Sequence, residues 1–332
     1  MKKAIPMLLA AVLAIALLAG CAPSGPAASG TPSAGTGQPA GAEPGKLSVV
    51  TVLFNKKDFT REIAGDHITL TMLLPPGAES HSYEPTPQDI ITIQNCDVFI
   101  YVGGESDAWI EDILASMDTA DKTVLTLMDM VEVKEELVVE GMEEEHGDAS
   151  PDEAEPAEYD EHVWTSPKNA MLIVQALADT LCTLDAANAD AYRQNADAYL
   201  ARLTELDAAF EAVVSTAARN TLIFGDRFPF RYFADAYGLS YYAAFPGCST
   251  QSEPSAATVA FLIDKVKAEG IPVVFHIELS SEKMADTICE DTGAQKRLFH
   301  SCHNVSKAEL DAGTSYLSLM LQNVEALKEA LA

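Results

Sequence analysis

Residues 190–217 contain neither glycine nor proline. Tyr192, Ala196, Tyr199, Leu203, Leu206, Phe210, Val213 and Val214 recur there at helical spacing. This pattern predicts one unbroken helix, roughly 40 Å long at 1.5 Å per residue. That is longer than one small domain needs, so the chain must place structure on both sides of it. On both sides, short β-branched runs alternate with helical patterns. Strands are expected at 47–54, 68–74, 98–102 and 123–127, with helices near 57–64, 87–95 and 107–116. After the long helix come strands at 221–224, 240–245, 271–277 and 297–299, helices near 230–237, 255–268 and 281–291, and a closing helix over 306–330. Strands and helices alternating over short connections imply parallel sheets covered on both faces. The fold class is therefore α/β: two αβ lobes with parallel sheets, joined by one long rigid helix. With 332 residues the chain can bury two cores.

Three histidine-bearing loops stand out. His81 lies between the 68–74 strand and a helix start at Thr86-Pro87, where Thr86 is the expected N-cap and Asp89 follows three residues later. Pro75-Pro76-Gly77 ends the strand, and Pro85 and Pro87 stiffen the loop. His162 sits in Asp160-Glu161-His162-Val163-Trp164-Thr165-Ser166-Pro167, just before another helix start. His300 and His303 precede a capping box formed by Ser306 and Glu309. One loop histidine is ordinarily a surface residue. Three placed alike, in a fold whose ligands gather outside the carboxyl ends of its strands, point to a metal, because neutral imidazole is a good transition-metal ligand. His67 and His146 read as solvent-exposed, and His276 as a core or supporting residue.

The remaining composition narrows the function. A net charge of −29 and no basic stripe disfavour nucleic acid. Such a charge raises the local cation concentration without choosing among cations. Residues 131–161 concentrate acids, with Lys134 as the only base and His146 among them. That density reads as a mobile excursion, either a solvated insertion or a weak metal-collecting loop. At the N-terminus, Lys2 and Lys3 precede an apolar run from Ile5 to Leu18 that has the form of a signal peptide, ending Leu18-Ala19-Gly20-Cys21 like a lipobox. Cys21 is the expected lipid anchor, which makes the protein anchored to the membrane and not spanning it. Residues 22–45, nearly all Gly, Pro, Ser, Ala and Thr, form a flexible tether reaching about 25 Å. The organisation expected is a signal at 1–20, a tether at 21–46, a first lobe at 47–167 with the acidic loop 132–161, helices at 168–217 and a second lobe at 218–332.

The pattern PPGxxxHxYEPTPxD around His81, followed by D/E-x-H-V-W-x-S-P around His162, resembles the metal-binding lipoproteins of zinc and manganese ABC importers, the cluster A-I solute-binding proteins. The resemblance runs through nearly the whole mature chain, including Tyr232-Phe233-Ala234-Asp235-Ala236-Tyr237-Gly238-Leu239 and Glu253-Pro254-Ser255-Ala256. It implies a metal cleft between the lobes, a stiff connecting helix with little hinge closure, and a monomer that delivers metal to an ABC permease. It also implies that His81 and His162 are metal ligands. The family's third histidine position holds Arg227 here, within Asp226-Arg227-Phe228-Pro229. A guanidinium accepts nothing and cannot bind a metal, so Asp226 is the substitute donor and Arg227 a supporting residue paired with an acid. The family's fourth position falls at His300-Ser301-Cys302, which assigns His300 as a ligand with His303 behind it and Glu278 as a residue that orients an imidazole or adds a donor. Three imidazoles suit Zn²⁺ better than Mn²⁺.

Other readings carry less weight. Manganese, or a metal chelate or anion held by Arg227, is one alternative. A zinc-dependent hydrolase is another, but the chain has no His-Glu-x-x-His and no G-x-S-x-G. A surface adhesin could coexist with import. Among the cysteines, Cys96 and Cys182 read as core residues. Cys248 and Cys302 lie on second-lobe loops, where a Cys248–Cys302 disulfide is the preferred pairing, with a Cys302 thiolate ligand and two unpaired thiols as its rivals.

Overall fold

The structure, a computed structural model, describes residues 45–142, 158–249 and 254–332. The signal, Cys21, most of the tether, His146 and the middle of the acidic stretch lie outside the described residues.

The first sheet is built from β1 (Leu47–Thr51), β2 (Ile68–Met72), β3 (Val98–Tyr101) and β4 (Thr123–Thr126), all parallel in the order β2-β1-β3-β4. Helices α1 (Phe54–Ala64), α2 (Pro87–Gln94) and α3 (Ala108–Ala115) connect its strands. Two helices follow, α4 (Pro167–Leu184) and α5 (Ala189–Ser215). The second sheet repeats the topology: β5 (Thr221–Phe228), β6 (Ser240–Pro246), β7 (Val273–His276) and β8 (Gln295–Leu298), parallel in the order β6-β5-β7-β8. Helices α6 (Arg231–Tyr237), α7 (Ala256–Glu269) and α8 (Lys283–Thr292) alternate with them. In each sheet the first strand lies between the second and third, so the strand order reverses beside it. The crevice at such a reversal, outside the carboxyl ends of the strands, is where open α/β sheets hold ligands.

α5 is the unbroken helix the sequence predicts. It packs against α4 and α1 on one side and against α6 and α10 (Tyr316–Leu331) on the other, so it touches elements of both halves. One hydrophobic core runs from the first sheet through Trp164, Tyr199 and Phe210 to Phe299 and Tyr316. A smaller core lies under α7 and α8. The closing segment differs from expectation. The capping box at Ser306 and Glu309 starts only the short α9 (Lys307–Asp311), and a new capping box, Ser315 with Ser318, starts α10. Gly313, at φ +76°, breaks the pattern between them, a conformation glycine adopts without steric cost. The break lets Tyr316 turn inward. Its backbone N–H donates to Asp58 at 2.8 Å, its hydroxyl donates to the Trp164 carbonyl at 2.7 Å, and its ring meets Phe59 edge-on.

The acidic stretch is also more built than its charge density implies. Glu135 bridges to Tyr159, and the Lys134 N–H donates to the Tyr232 hydroxyl. Glu136 accepts the Cys248 N–H at 2.8 Å, Met142 is buried, and Asp160 and Glu161 are buried beside His162. Glu135, Glu136, Asp160 and Glu161 each have a backbone or side-chain partner that ties these flanks to the fold. Among the described residues no helix is long and apolar enough to cross a membrane.

Candidate metal centre

The carboxyl ends of both sheets meet at three imidazoles. His81, His162 and His303 each present a nitrogen within 4.8 Å of the other two, and this is the potential metal cluster among the described residues. Ring centroids lie 5.6 Å apart for His81 and His162, 5.3 Å for His81 and His303, and 4.8 Å for His162 and His303.

Each imidazole is oriented through Nδ1. Thr86 and Asp89 form the expected capping box with Pro87 opening α2, which fixes one end of the His81 loop. His81 Nδ1 lies 3.0 Å from the Ser106 hydroxyl, and the Ser106 N–H donates to Glu161 at 2.7 Å. His162 Nδ1 lies 3.0 Å from Asp160 Oδ1, which also accepts the His162 N–H at 2.8 Å. Gly247 lies against this ring: a Cβ there would stand 3.1 Å from His162 Cε1 and 2.9 Å from the Phe228 carbonyl. His303 Nδ1 meets the Ser301 hydroxyl, which donates to Glu278, and Glu278 also accepts the N–H groups of Ser301 and His303. With the Nδ1 atoms engaged, the Nε2 atoms are left. Those of His162 and His303 are buried without any hydrogen-bond partner. A buried nitrogen normally finds a partner, so two such orphans side by side mark a place for a ligand.

The electrostatics favour neutral imidazoles at two of the three positions. Burial, then the neighbouring His162 and Arg227, lowers the His81 pKa to about 3. Burial, then His162 and His81, holds His303 well below its usual range. At His162 burial also acts to lower the pKa, but Asp160, Glu161 and Glu136 together outweigh it and the net shift is upward. Neutral imidazole is the form that binds metal, and a carboxylate on Nδ1 both fixes the ring and makes Nε2 more basic.

Matching to known proteins identifies the family. The model of the family described as zinc-uptake complex component A, periplasmic (ZnuA), matches residues 49–330. The chain belongs to the ZnuA family. The high-affinity zinc uptake system protein ZnuA of Bacillus subtilis is 31% identical over 293 residues, 88% of this chain and 90% of that protein. The zinc-binding lipoprotein AdcA of Streptococcus pneumoniae is 32% identical over 287 residues, 86% of this chain, and the chain spans only 56% of AdcA's length. Among solved structures, the metal-dependent lipoprotein YcdH from Bacillus subtilis superposes with a TM-score of 0.72 at 30% identity, covering 86% of this chain and 100% of that one. The Zn(II)-bound ZnuA-like domain of AdcA gives 0.70 at 28%, covering 86% and 99%.

Other expected site residues take different places in this ZnuA-family member. His300 is not in the cluster. Its Nδ1 accepts the Cys302 N–H at 2.9 Å, its N–H donates to Asn323 of α10, and its carbonyl accepts from the same amide. Cys302, at φ +62°, bends the loop between the two histidines; the His300 backbone meets α10 and its ring turns back on the Cys302 N–H, while His303 joins the cluster. Asp226 is not a free donor: it accepts from the N–H groups of Arg227 and Ile277 and from the Ser280 hydroxyl. Glu278 holds the His303 loop instead of pointing at the cluster. Arg227 does pair with an acid, Glu79 of the first lobe, at 3.2 Å. Cys248 and Cys302 are free thiols and form no disulfide. Cys302 is fully buried behind the loop, its carbonyl accepting from Asn55 at 3.0 Å, and burial raises its thiol pKa, which disfavours a thiolate ligand. His67 is exposed as expected, and His276 is half-buried with Nδ1 near its neighbour's carbonyl. Sequence reasoning missed Ser106 and Ser301. The Gly103-Gly104 turn before Ser106 was the local signal for the first, and nothing local marked the second.

Proposed function

We propose that this protein captures Zn²⁺ outside the cytoplasm on His81, His162 and His303 and delivers it to an ABC-type permease. The observation that carries the reading is the convergence of three imidazoles whose Nδ1 atoms are engaged, two of which, His162 and His303, have buried Nε2 atoms without partners. Three nitrogen donors within reach of one ion fit tetrahedral Zn²⁺, whereas Mn²⁺ favours more oxygen. Names of the relatives, a zinc uptake protein and a zinc-binding lipoprotein, support the same cargo.

The chemistry is reversible coordination. Zn²⁺ exchanges hydration water for imidazole nitrogens that are already oriented, so little side-chain entropy is lost on capture. Ser106, Asp160 and the Ser301–Glu278 pair keep the rings aimed while the site is empty or loaded. Hydrolysis fits less well, because a zinc hydrolase needs a general base at the open position. Asp160 and Glu278 are bonded to the ligand loops, and Glu79 is bonded to Arg227. Lipid attachment at Cys21 and the following tether would hold a monomer within reach of its permease at the membrane surface.

Metal content after tag-free purification, followed by competitive Zn²⁺/Mn²⁺ titration, tests this. One equivalent of zinc, bound more tightly than manganese, is expected. Absence of stoichiometric binding of either ion would remove the proposal.

A further inference from the structure

We propose that Arg227 is a co-ligand site: the zinc is held together with a small carboxylate-bearing molecule, seated on the guanidinium and completing the metal's coordination. The inference rests on the zinc-binding reading above and concerns the position that three histidines leave open.

Three neutral imidazoles supply Zn²⁺ with three of four ligands and no negative charge. The space over them is about 20 Å³, lined by His81, His303, Glu79 and Arg227, which is room for one water-sized group. Arg227 is always protonated and its side chain is only 13% exposed. A dication placed beside it is repelled unless an anion stands between them. The carboxylates nearby are occupied: Asp160 by His162, Glu278 by the Ser301 loop, and Asp226 by Ile277 and Ser280. Among the described residues, the acid on Arg227 is Glu79, whose side chain is 34% exposed; one oxygen meets the guanidinium at 3.2 Å and the other accepts the Ser82 N–H at 3.0 Å. Among the described residues, the other partner of the guanidinium is the Ser249 carbonyl at 3.3 Å. A guanidinium matches a carboxylate best as a two-point fork, so this pairing leaves capacity unused.

The space for such a molecule is adjacent. A cleft of about 700 Å³ opens on the far side of the Glu79–Arg227 pair and shares Glu79, Arg227 and Leu279 with the small space over the imidazoles. That volume is within the range of small-molecule sites, about 300–1,000 Å³. Its wall adds hydroxyls from Ser281 and Thr287 and a second cation, Lys283, at the start of α8. A carboxylate in this cleft can take the fork of Arg227 in exchange for Glu79. A second donor on the same molecule, an amine, hydroxyl or further carboxylate, then reaches the fourth metal position. The class is therefore small metal-chelating carboxylates of amino-acid to tricarboxylate size. The competing arrangement has Glu79 leave Arg227 and bind the metal itself.

Equilibrium dialysis of the full chain with radiolabelled citrate, L-malate and L-histidine, with and without one equivalent of Zn²⁺, separates these. Retention of about one equivalent of at least one probe is expected, and only with zinc present. Arg227→Gln should reduce that retention by about tenfold or more, while Zn²⁺ affinity measured without carboxylate stays within about threefold. Arg227→Lys should fall between, keeping the charge and losing the fork. Glu79→Gln should strengthen retention by freeing the guanidinium. The inference is overturned if the zinc-loaded protein retains none of the three probes, if retention ignores Arg227→Gln, or if Glu79→Gln costs as much zinc affinity as His81→Ala. Each of those results leaves three-histidine zinc binding standing, whereas a wild-type chain that takes up no zinc defeats the earlier proposal instead.

Discussion

The two walls of the cleft are built differently. On the first-lobe wall, His81 and His162 stand beside motifs close to them in sequence: the Thr86–Asp89 capping box for one, and Asp160, two residues away, for the other. Asn304 and Val305 also clasp the start of the His81 loop at Pro75, Gly77 and Ala78. On the second-lobe wall, His303 stands on a loop fixed from elsewhere. Asn55 donates to the Cys302 carbonyl across 247 residues of chain, Phe54 donates to the His303 carbonyl, and Trp164 donates to the Ser301 carbonyl. The His303 loop thus belongs to the second lobe by sequence and is clasped by the first. Local support leaves a readable motif. Support from distant chain does not, and there the identity of the inward-facing histidine is decided by packing.

The largest expected effect separates His303 from His300. His81→Ala, His162→Ala and His303→Ala should each cost on the order of a hundredfold in Zn²⁺ affinity, since each removes a direct donor. His300→Ala should stay within about threefold, because it removes the Nδ1 contact to the Cys302 N–H, keeps the backbone contacts to Asn323, and takes away no metal donor. Competitive titration against a chromogenic chelator reads both. Equal losses for His300→Ala and His303→Ala would erase the distinction between the walls.

Next in size are the groups that aim the rings. Asp160→Asn and Glu278→Gln should each weaken zinc by about tenfold or more, as outer hydrogen-bond partners of metal ligands commonly do. The two should differ in structural consequence. Asp160 holds one ring locally, whereas Glu278 gathers Ser301 and His303 together, so Glu278→Gln should also loosen the loop's amide protection in hydrogen exchange. If Asp160→Asn alone disturbed exchange across the cleft, the contrast would be reversed.

Gly247→Ala is a smaller, steric probe of the shared boundary. Its Cβ would press on His162 from the second lobe, 3.1 Å from Cε1, and on the Phe228 carbonyl at 2.9 Å. A loss of a few-fold in affinity, about 1 kcal/mol, is expected with the fold intact by circular dichroism. No change would show that the ring shifts freely.

The smallest effect concerns the acidic stretch. Deleting 143–157 removes seven acids and His146 but spares Glu136, Met142, Asp160 and Glu161, which are engaged in the fold. Equilibrium zinc affinity should stay within about twofold, and capture should slow at low salt more than at high salt. Stopped-flow measurements at two ionic strengths check it, and a large drop in thermal midpoint would assign the stretch a structural role.

How far the molecule was legible follows the same contrast. The strand and helix alternation, α5, and the capping boxes at Thr86 and Ser306 were readable because periodicity and capping are local. His81 and His162 were readable because a capping box and Asp160 lie near them in sequence, although Ser106, which meets His81 Nδ1, is 25 residues away. His303 was displaced by His300 because counting along the loop cannot register the bend at Cys302. The same bend and its burial removed the expected Cys248–Cys302 pairing. The closing helix was overextended because Gly313 lies within an otherwise helical pattern, and the inward turn of Tyr316 is set by Asp58 and Trp164, far away in sequence.

A crystal structure of the zinc-loaded protein, with the ion located by its anomalous signal at the zinc edge, tests the central claim most directly. The account predicts one ion within about 2.0–2.1 Å of Nε2 of His81, His162 and His303, with Ser106, Asp160 and Ser301 still holding their Nδ1 atoms. An ion coordinated by His300 or Cys302, or lying away from His303, would contradict it.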